Sequence, residues 1–231
     1  MSKAMLFTAL AVAMVLAISS CGRRKEPMPA EKRDQKIYEG TIVAVGDSLT
    51  AGYGVKETEA YPARLENKLQ AGGYRWRVVN AGISGETSSG ALSRLDWVLK
   101  LKPDIVILET GANDGLRGID PQVTRKNIEE TVRILREHRV TVILAGMRMV
   151  ANLGRDYTAS FAAIYPAVAR KFNLTLIPFF LQGVAGDPSL NQSDGIHPVA
   201  EGYRTITDNI YTYVVPVLEK TPNKGRTPPH E

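Results

Sequence analysis

Short, continuously apolar runs alternate with amphipathic stretches along most of the chain. Continuously apolar strands are typical of a sheet covered on both faces, and alternation with helices favours parallel strands. The runs predict strands at 41–45, 75–80, 104–109, 140–145 and 174–177. We therefore predict the α/β class, as a three-layer α/β/α sandwich with a flavodoxin-like parallel sheet of about five strands.

Apolar residues at helical spacing fill the segments between those runs. They predict helices at 59–70, 88–101, 157–172 and 198–218, and one that Pro121 opens. Proline suits the first turn of a helix, whereas inside a helix it removes a backbone hydrogen bond. We therefore expect Pro166 to kink its helix and Pro216 to break the last one.

Residues 1–21 have the composition of an export signal. Lys3 precedes a nearly unbroken apolar run over 5–18, which is too short to span a membrane comfortably. The run ends at small residues and Cys21. This ending resembles the lipobox of bacterial lipoproteins, in which the cysteine becomes the acylated first residue and several acyl chains make attachment firm. The alternative is an ordinary cleaved signal peptide whose cysteine is incidental.

Two further segments have almost nothing apolar to bury. Residues 22–36 and 220–231 are predicted to be a disordered tether and a disordered tail, which leaves 37–219 as the folded domain. The chain has a net charge of +5, but residues 37–219 contain 19 Lys+Arg against 20 Asp+Glu. The basic excess therefore lies in the tails, which argues against a nucleic-acid surface on the fold. With one cysteine, the chain has no internal disulfide framework.

Polar motifs follow the predicted strands at their carboxyl ends. Ser48 comes after the first strand, before a glycine-rich turn, and Asn113 follows the third strand. In a flavodoxin-like order these two strands are neighbours at the topological switch point, where open α/β sheets bind ligands. Ser48 is therefore the candidate nucleophile, with Asn113 facing it. The alternative for Asn113 is an ordinary turn residue. Glu109, which ends the third strand, is assigned no role.

His197 is the candidate base. Of the three histidines, His230 lies in the predicted tail, and His138 lies at the end of an exposed helix, where the helix dipole accounts for it. The Asp-x-x-His spacing puts Asp194 and His197 on the same side of one turn, where the carboxylate can orient the imidazole. The alternative is a capping pair at the start of the last helix.

Four blocks, taken in order, resemble the SGNH (GDSL) hydrolase superfamily. They are Gly46-Asp47-Ser48-Leu49, the loop with Gly85, Gly111-x-Asn113-Asp114 and Asp194-x-x-His197, and together they extend along about residues 40–218. Residues 84–87, 113–118 and 163–166 resemble the bacterial multifunctional acyl-CoA thioesterase I/lysophospholipase L1/arylesterase branch. Ala112 departs from the pattern, because many relatives have glycine there.

The resemblance implies a serine hydrolase that cleaves carboxylic esters or thioesters, such as a lysophospholipid, an acyl thioester or an aryl ester, through an acyl-enzyme on Ser48. It implies that His197 is the base and Asp194 its orienter, and that the Ser48 N–H, the Gly85 N–H and the Asn113 amide form the oxyanion hole. The alternatives are a carbohydrate O-deacetylase of the same superfamily and a non-catalytic, membrane-tethered binding protein. The sequence contains no cofactor or metal motif.

The loop after the fourth strand is more apolar than loops usually are. We predict that Met149, Val150 and Leu153 wall an acyl-chain groove, and the alternative is that they pack onto the last helix. The leader predicts an exported protein, either periplasmic or an outer-membrane lipoprotein with a lipid anchor on Cys21. By resemblance, the non-aspartate Gly22 permits outer-membrane sorting. The expected partners are a small ester or lipid substrate and the membrane, and not a nucleic acid.

Overall fold

The computed structural model describes residues 38–221. The predicted signal peptide with Cys21, the tether, and the predicted tail from residue 222 onward lie outside the described residues. The proposals about those segments therefore remain predictions.

Within residues 38–221, five strands form one sheet. Their bounds are β1 Gly40–Gly46, β2 Trp76–Gly82, β3 Ile105–Glu109, β4 Thr141–Ala145 and β5 Thr175–Ile177. Their order across the sheet is β2-β1-β3-β4-β5, and every neighbouring pair is parallel. The predicted flavodoxin-like parallel sheet is confirmed, and the strand bounds differ from the predicted ones by at most two residues.

Helices occupy the connections between the strands. In chain order they are α1 Ser48–Ala51, α2 Tyr61–Ala71, α3 Ser88–Ser93, α4 Leu95–Lys100, α5 Ala112–Leu116, α6 Pro121–Glu137, α7 Arg155–Phe172 and α8 Ala200–Lys220. Short 3-10 turns lie at Glu57–Glu59 and Ala151–Leu153.

The sheet is the middle of three layers. α2 packs beside α8, and α6 packs against both α3 and α7. β3 is buried along its whole length, as are the last five residues of β1. Each fully buried aliphatic side chain contributes about 1.5–3 kcal/mol relative to an exposed one. The loops at the edges of this buried sheet take their positions from it.

The predicted helix at 88–101 is two helices, so this prediction was wrong at Arg94. Arg94 has a φ of −104° and a ψ of 13°, which ends α3 before α4 begins. Its guanidinium donates to both carboxylate oxygens of Glu86 at 2.6 Å and to the carbonyl of Ala81 at 2.7 Å. These bonds hold Arg94 out of the helix. The spacing of apolar residues does not predict them.

The last helix also differs from the prediction. Pro216 does not break it, because α8 continues to Lys220, with Val214, Val217 and Leu218 buried on either side of the proline. That packing offsets the missing backbone hydrogen bond. The helix starts at Ala200 rather than at 198, since Pro198 pairs with Asn191 in an isolated β-bridge.

Candidate active site

The loops with the polar motifs meet at one edge of the sheet. β1 and β3 are neighbours in register, from Ile42 opposite Ile105 to Val45 opposite Leu108. The turns that follow these strands therefore begin side by side, as the predicted strand order requires. The Asn113 amide lies within hydrogen-bond distance of Asp47, the residue before Ser48.

Residues 46–50, which we call the nucleophile turn, are packed as tightly as the core. Asp47 caps α1 by accepting a hydrogen bond from the Leu49 N–H at 2.9 Å. A Cβ added to Gly46 would lie 2.2 Å from Thr50 Oγ1 and 2.6 Å from the Glu109 carbonyl oxygen. Only glycine fits there, and the crowding fixes where the chain bends. Ser48 follows at once and is 9% exposed.

A chain of hydrogen bonds joins Ser48, His197 and Asp194. His197 Nε2 lies 2.9 Å from Ser48 Oγ, and His197 Nδ1 lies 2.7 Å from Asp194 Oδ2. Asp194 Oδ1 accepts hydrogen bonds from the N–H groups of Ile196 and His197 at 2.9 and 3.0 Å. These bonds, first that of the His197 N–H, lower the pKa of Asp194 to about 2. The ionised carboxylate holds the proton on Nδ1, which leaves Nε2 free to accept the serine proton.

The sequence did not predict a role for Gln192. Its Nε2 donates to the carbonyl of Tyr53 at 2.8 Å and to that of Pro198 at 3.1 Å. Its side chain therefore ties the segment after α1 to residues 192–198, which we call the base loop. Tyr53 adds a second contact, because its ring lies 4.6 Å from that of His197, centroid to centroid. No motif or spacing in the sequence singles out Gln192.

Gly85 lies in the loop after β2 with a φ of +79°, a conformation that favours glycine. Arg117, from the segment after α5, donates to the Gly85 carbonyl at 2.9 Å. This bond fixes the carbonyl of the Gly85–Glu86 peptide unit. The contact joins the two loops that carry Gly85 and Asn113, and it was not predicted.

Both hydrogens of the Asn113 amide are already engaged. Nδ2 donates to Asp47 Oδ2 and to the Glu86 carbonyl, each at 3.1 Å. An amide nitrogen has two hydrogens. To donate to an oxyanion, Asn113 must exchange one of these two bonds for the new one. The Arg94 ion pair holds Glu86 in place, which keeps its carbonyl positioned as the competing acceptor.

Asp114 links three elements around the site. Its two oxygens accept from the Ser88 hydroxyl at 2.5 Å and from the Ser88 N–H at 2.7 Å, and Thr124 Oγ1 donates to it at 3.2 Å. Asp114 is buried. It therefore connects α5 to α3 and α6 and does not face the crevice.

Two carboxyl groups are buried at the nucleophile turn, that of Asp47 within it and that of Glu109 beneath it. Burial raises the pKa of Asp47 to about 6. Glu109 is completely buried, and this burial, together with the charge of Asp47, raises its pKa well above the usual value. Glu109 Oε2 accepts hydrogen bonds from the Asp47 N–H at 3.2 Å and from Thr50 Oγ1 at 2.9 Å. Asp47 and Thr50 thus stabilise the turn.

Of the three predicted groove residues, Met149 contacts α5. The Met149 side chain packs so closely on Gly115 that no Cβ fits there. Leu153 is half-buried, and Val150 is 55% exposed. Other exposed apolar side chains occur on the loops that carry the candidate catalytic residues: Tyr53, Ile83, Leu116 and Ile196.

The described residues contain neither a metal-binding cluster nor a membrane-spanning helix. Between residues 38 and 221, no group of three or more His, Cys, Asp or Glu side chains is arranged to hold a metal ion. In the same part of the chain, no helix is both long and apolar enough to span a bilayer.

A serine bonded to an imidazole that a carboxylate orients, at the carboxyl edge of a parallel sheet, defines a serine hydrolase. The pattern of the GDSL-like Lipase/Acylhydrolase family matches residues 44–205. The chain belongs to this family, and the resemblance noted from the four blocks is confirmed.

Relatives with established names support this assignment. The chain is 39% identical to "Thioesterase 1/protease 1/lysophospholipase L1" of Escherichia coli over 77% of its own length and 85% of that protein. It is 38% identical to "Esterase TesA" of Pseudomonas aeruginosa, over 80% and 92% of the two chains. A crystal structure of TesA superposes with a TM-score of 0.74 at 38% identity, covering 77% of this chain and 99% of the other.

Proposed function

We propose that this enzyme hydrolyses carboxylic esters and thioesters through an acyl-enzyme on Ser48. The observation that carries the proposal is the hydrogen-bonded chain from Asp194 through His197 to Ser48 Oγ. The names of the relatives, which include esterase, thioesterase and lysophospholipase, support both classes of substrate.

The first half of the reaction acylates the serine. His197 Nε2 takes the Ser48 proton as Oγ forms a bond to the carbonyl carbon, and the carbonyl π electrons move onto oxygen. The tetrahedral intermediate collapses, the bond to the leaving oxygen or sulfur breaks, and His197 gives that atom its proton. Asp194 stabilises the imidazolium that forms in between.

The second half repeats the sequence with water. His197 takes a proton from the water as its oxygen bonds to the acyl carbon, and then returns a proton to Ser48 Oγ as the carboxylic acid leaves. In both halves the Ser48 N–H, the Gly85 N–H and the Asn113 amide hold the oxyanion. Asn113 joins them by exchanging its bond to the Glu86 carbonyl, while its bond to Asp47 keeps the amide oriented.

We propose an acyl chain as the part of the substrate that the crevice recognises. Met149, Val150 and Leu153 wall one side, because Met149 packs against the helix that carries Asn113. The exposed apolar side chains of Tyr53, Ile83, Leu116 and Ile196 extend this surface along the neighbouring loops. Lipid-derived esters and thioesters, including lysophospholipids, fit such a surface because their chains exchange water for apolar contacts.

We further propose that the folded domain, residues 37–219, acts outside the cytoplasm. The apolar run over 5–18 and the lipobox-like ending at Cys21 support export and lipid anchoring of a periplasmic or outer-membrane protein. Metabolic labelling with a radioactive fatty acid, in wild type and in Cys21→Ser, tests whether Cys21 is acylated. Acylation of the wild type alone is expected, and an unlabelled wild type contradicts the anchor.

A fluorophosphonate probe tests the chemistry directly. The probe should modify Ser48 and no other serine, and Ser48→Ala should remain unlabelled. A p-nitrophenyl acetate, octanoate and palmitate panel, run beside acetylated sugars, then defines the substrate. Labelling with turnover of the sugars alone would identify a deacetylase. An absence of labelling would favour a binding protein.

A substitution in the loop after β4 tests the groove. Val150→Asp should raise KM for the palmitate ester far more than for the acetate ester, because only the longer chain reaches this wall. Trp97→Asp is the matched control, since Trp97 is exposed to a similar degree but lies on α4. Equal losses for short and long esters in Val150→Asp would contradict the groove.

A further inference from the structure

The carboxyl group of Glu109 is the largest unexplained feature near the site. Glu109 ends β3 directly beneath the nucleophile turn and has no exposed surface. Its Oε2 accepts two hydrogen bonds, from the Asp47 N–H and from Thr50 Oγ1. Its Oε1 is equally buried but receives no hydrogen bond from any residue of the described range 38–221.

If Glu109 were ionised, its Oε1 would share the negative charge without a hydrogen-bond donor among the described residues. Burying a charge without a partner is unfavourable, and the usual outcome is that the group stays neutral. No basic side chain of the described residues pairs with it. The titratable groups that face it are the Asp47 carboxyl and the phenols of Tyr61, Tyr165 and Tyr203. None of these can supply a positive charge.

The neighbouring acceptor is the carboxylate of Asp47. Its Oδ1 and Oδ2 each already accept a hydrogen bond, whereas Glu109 Oε1 accepts none from the described residues. A single proton between the two carboxyl groups is therefore best placed on Glu109, whose burial raises its pKa well above the usual value. Asp47 then keeps the negative charge with which it accepts from the Leu49 N–H and the Asn113 amide.

We propose that Glu109 is a positioning residue that works as a neutral acid. One oxygen holds the backbone N–H of Asp47 and the hydroxyl of Thr50, and the other gives its proton to the Asp47 carboxylate. Glu109 thereby fixes the bend that presents Ser48 Oγ and the Ser48 N–H. Through Asp47 it also orients the Asn113 amide, so one buried proton organises the nucleophile and two of the oxyanion donors. This inference rests on the proposed function.

Two substitutions test whether Glu109 acts as a neutral acid or as a charged carboxylate. Glutamine reproduces the neutral acid, because its amide donates to Asp47 and its carbonyl accepts from the Asp47 N–H and from Thr50. Glu109→Gln should therefore keep kcat for p-nitrophenyl acetate within about threefold of wild type. Glu109→Met fills a similar volume without polar atoms. It should lower kcat about 10- to 100-fold, with KM within about threefold, because the turn loses its partners.

Several outcomes would overturn the proposal. If Glu109→Gln loses as much kcat as Glu109→Met, the group acts as a charged carboxylate. If Glu109→Met retains wild-type kcat, Glu109 positions nothing. Thermal unfolding of both variants shows whether each is folded when it is assayed.

Infrared spectroscopy keeps the test independent of turnover and of how well the methionine variant folds. At neutral pH the wild type should show the carbonyl band of a protonated carboxylic acid, and Glu109→Gln should lack it. Glu130→Gln is the control that keeps the band, because Glu130 is exposed and bonded to Arg133. An absent band in the wild type contradicts the proposal. A wild type that shows the band but hydrolyses no ester would contradict the proposed function instead.

Discussion

The nucleophile turn and the base loop hold their proposed catalytic groups in different ways. Gly46 to Thr50 are all buried, and the turn is crowded between Glu109 and the end of β1. The base loop is largely exposed, and the Asp194 side chain retains 39% of its accessible surface. Its bends are held by hydrogen bonds, such as that from the Gln192 N–H to the His197 carbonyl at 2.7 Å.

The two regions show that neighbouring side chains of one site can be positioned in two ways, by tight packing or by hydrogen bonds. Ser48 is placed by packing, which tolerates no added atom, whereas His197 is placed by hydrogen bonds that leave room around them. A Cβ at Gly46 would collide with its neighbours, but one at Gly195 would meet nothing within 4 Å. We therefore expect substitutions in the turn to have larger effects than comparable ones in the loop.

The largest expected effects contrast the nucleophile with the orienter. Ser48→Ala should lower kcat by about six orders of magnitude, and Asp194→Asn by about four, because an exposed orienter acts only through His197. Steady-state assays on p-nitrophenyl acetate measure both. Equal losses would contradict the contrast between the two regions.

Removal of Asn113 comes next in size. Asn113→Ala should lower kcat about 100- to 1,000-fold, the usual cost of one oxyanion donor. Asn127→Ala is the control, since Asn127 bonds to Ser88 outside the crevice. A near-normal kcat in Asn113→Ala would remove Asn113 from the oxyanion hole.

A pair of glycine-to-alanine substitutions compares a crowded position, Gly46, with an open one, Gly195. Gly46→Ala should lower the free energy of unfolding by about 3 kcal/mol, near the upper end for overpacking. Gly195→Ala has open space and should cost only about 1 kcal/mol, for an alanine at positive φ. Urea unfolding measures both values. A smaller loss at Gly46 than at Gly195 would show that the turn adjusts to the added atom.

The smallest effects concern pH, and the two regions should respond with opposite signs. Folded Glu109 keeps a proton that the unfolded chain has lost, so its contribution to stability falls as pH rises. The pKa of Asp194 is lowered from 3.8 to about 2, so its contribution is present above 3.8 and is lost as pH falls through about 2.

Urea unfolding across pH measures this contrast. Glu109→Gln should gain stability relative to wild type as pH rises above about 5, because folding of the wild type must protonate Glu109 and folding of the variant takes up no proton there. The stability difference between wild type and Asp194→Asn should shrink below about pH 4. If the free energy of unfolding of a variant changes with pH in parallel with that of wild type, the predicted contribution of that residue is contradicted.

The sequence by itself determined the sheet and which loops meet. The apolar runs predicted each strand within two residues, and the strand order followed from the flavodoxin-like arrangement. The sequence predicted Ser48, Asn113, Asp194 and His197 as site residues because each follows a strand or precedes the last helix in a recognisable block. These features are local, since they depend on residue type and on spacing along the chain.

Only the tertiary structure decided what surrounds those residues. The Arg94–Glu86 ion pair divides a helix that spacing had predicted as one, and Gln192 joins two segments 139 residues apart. Glu109, which had no predicted role, lies beneath Asp47 because β1 and β3 are adjacent. Such contacts join residues distant in the chain, and their energies depend on burial and on the direction of single hydrogen bonds. A linear pattern of polar and apolar residues contains neither.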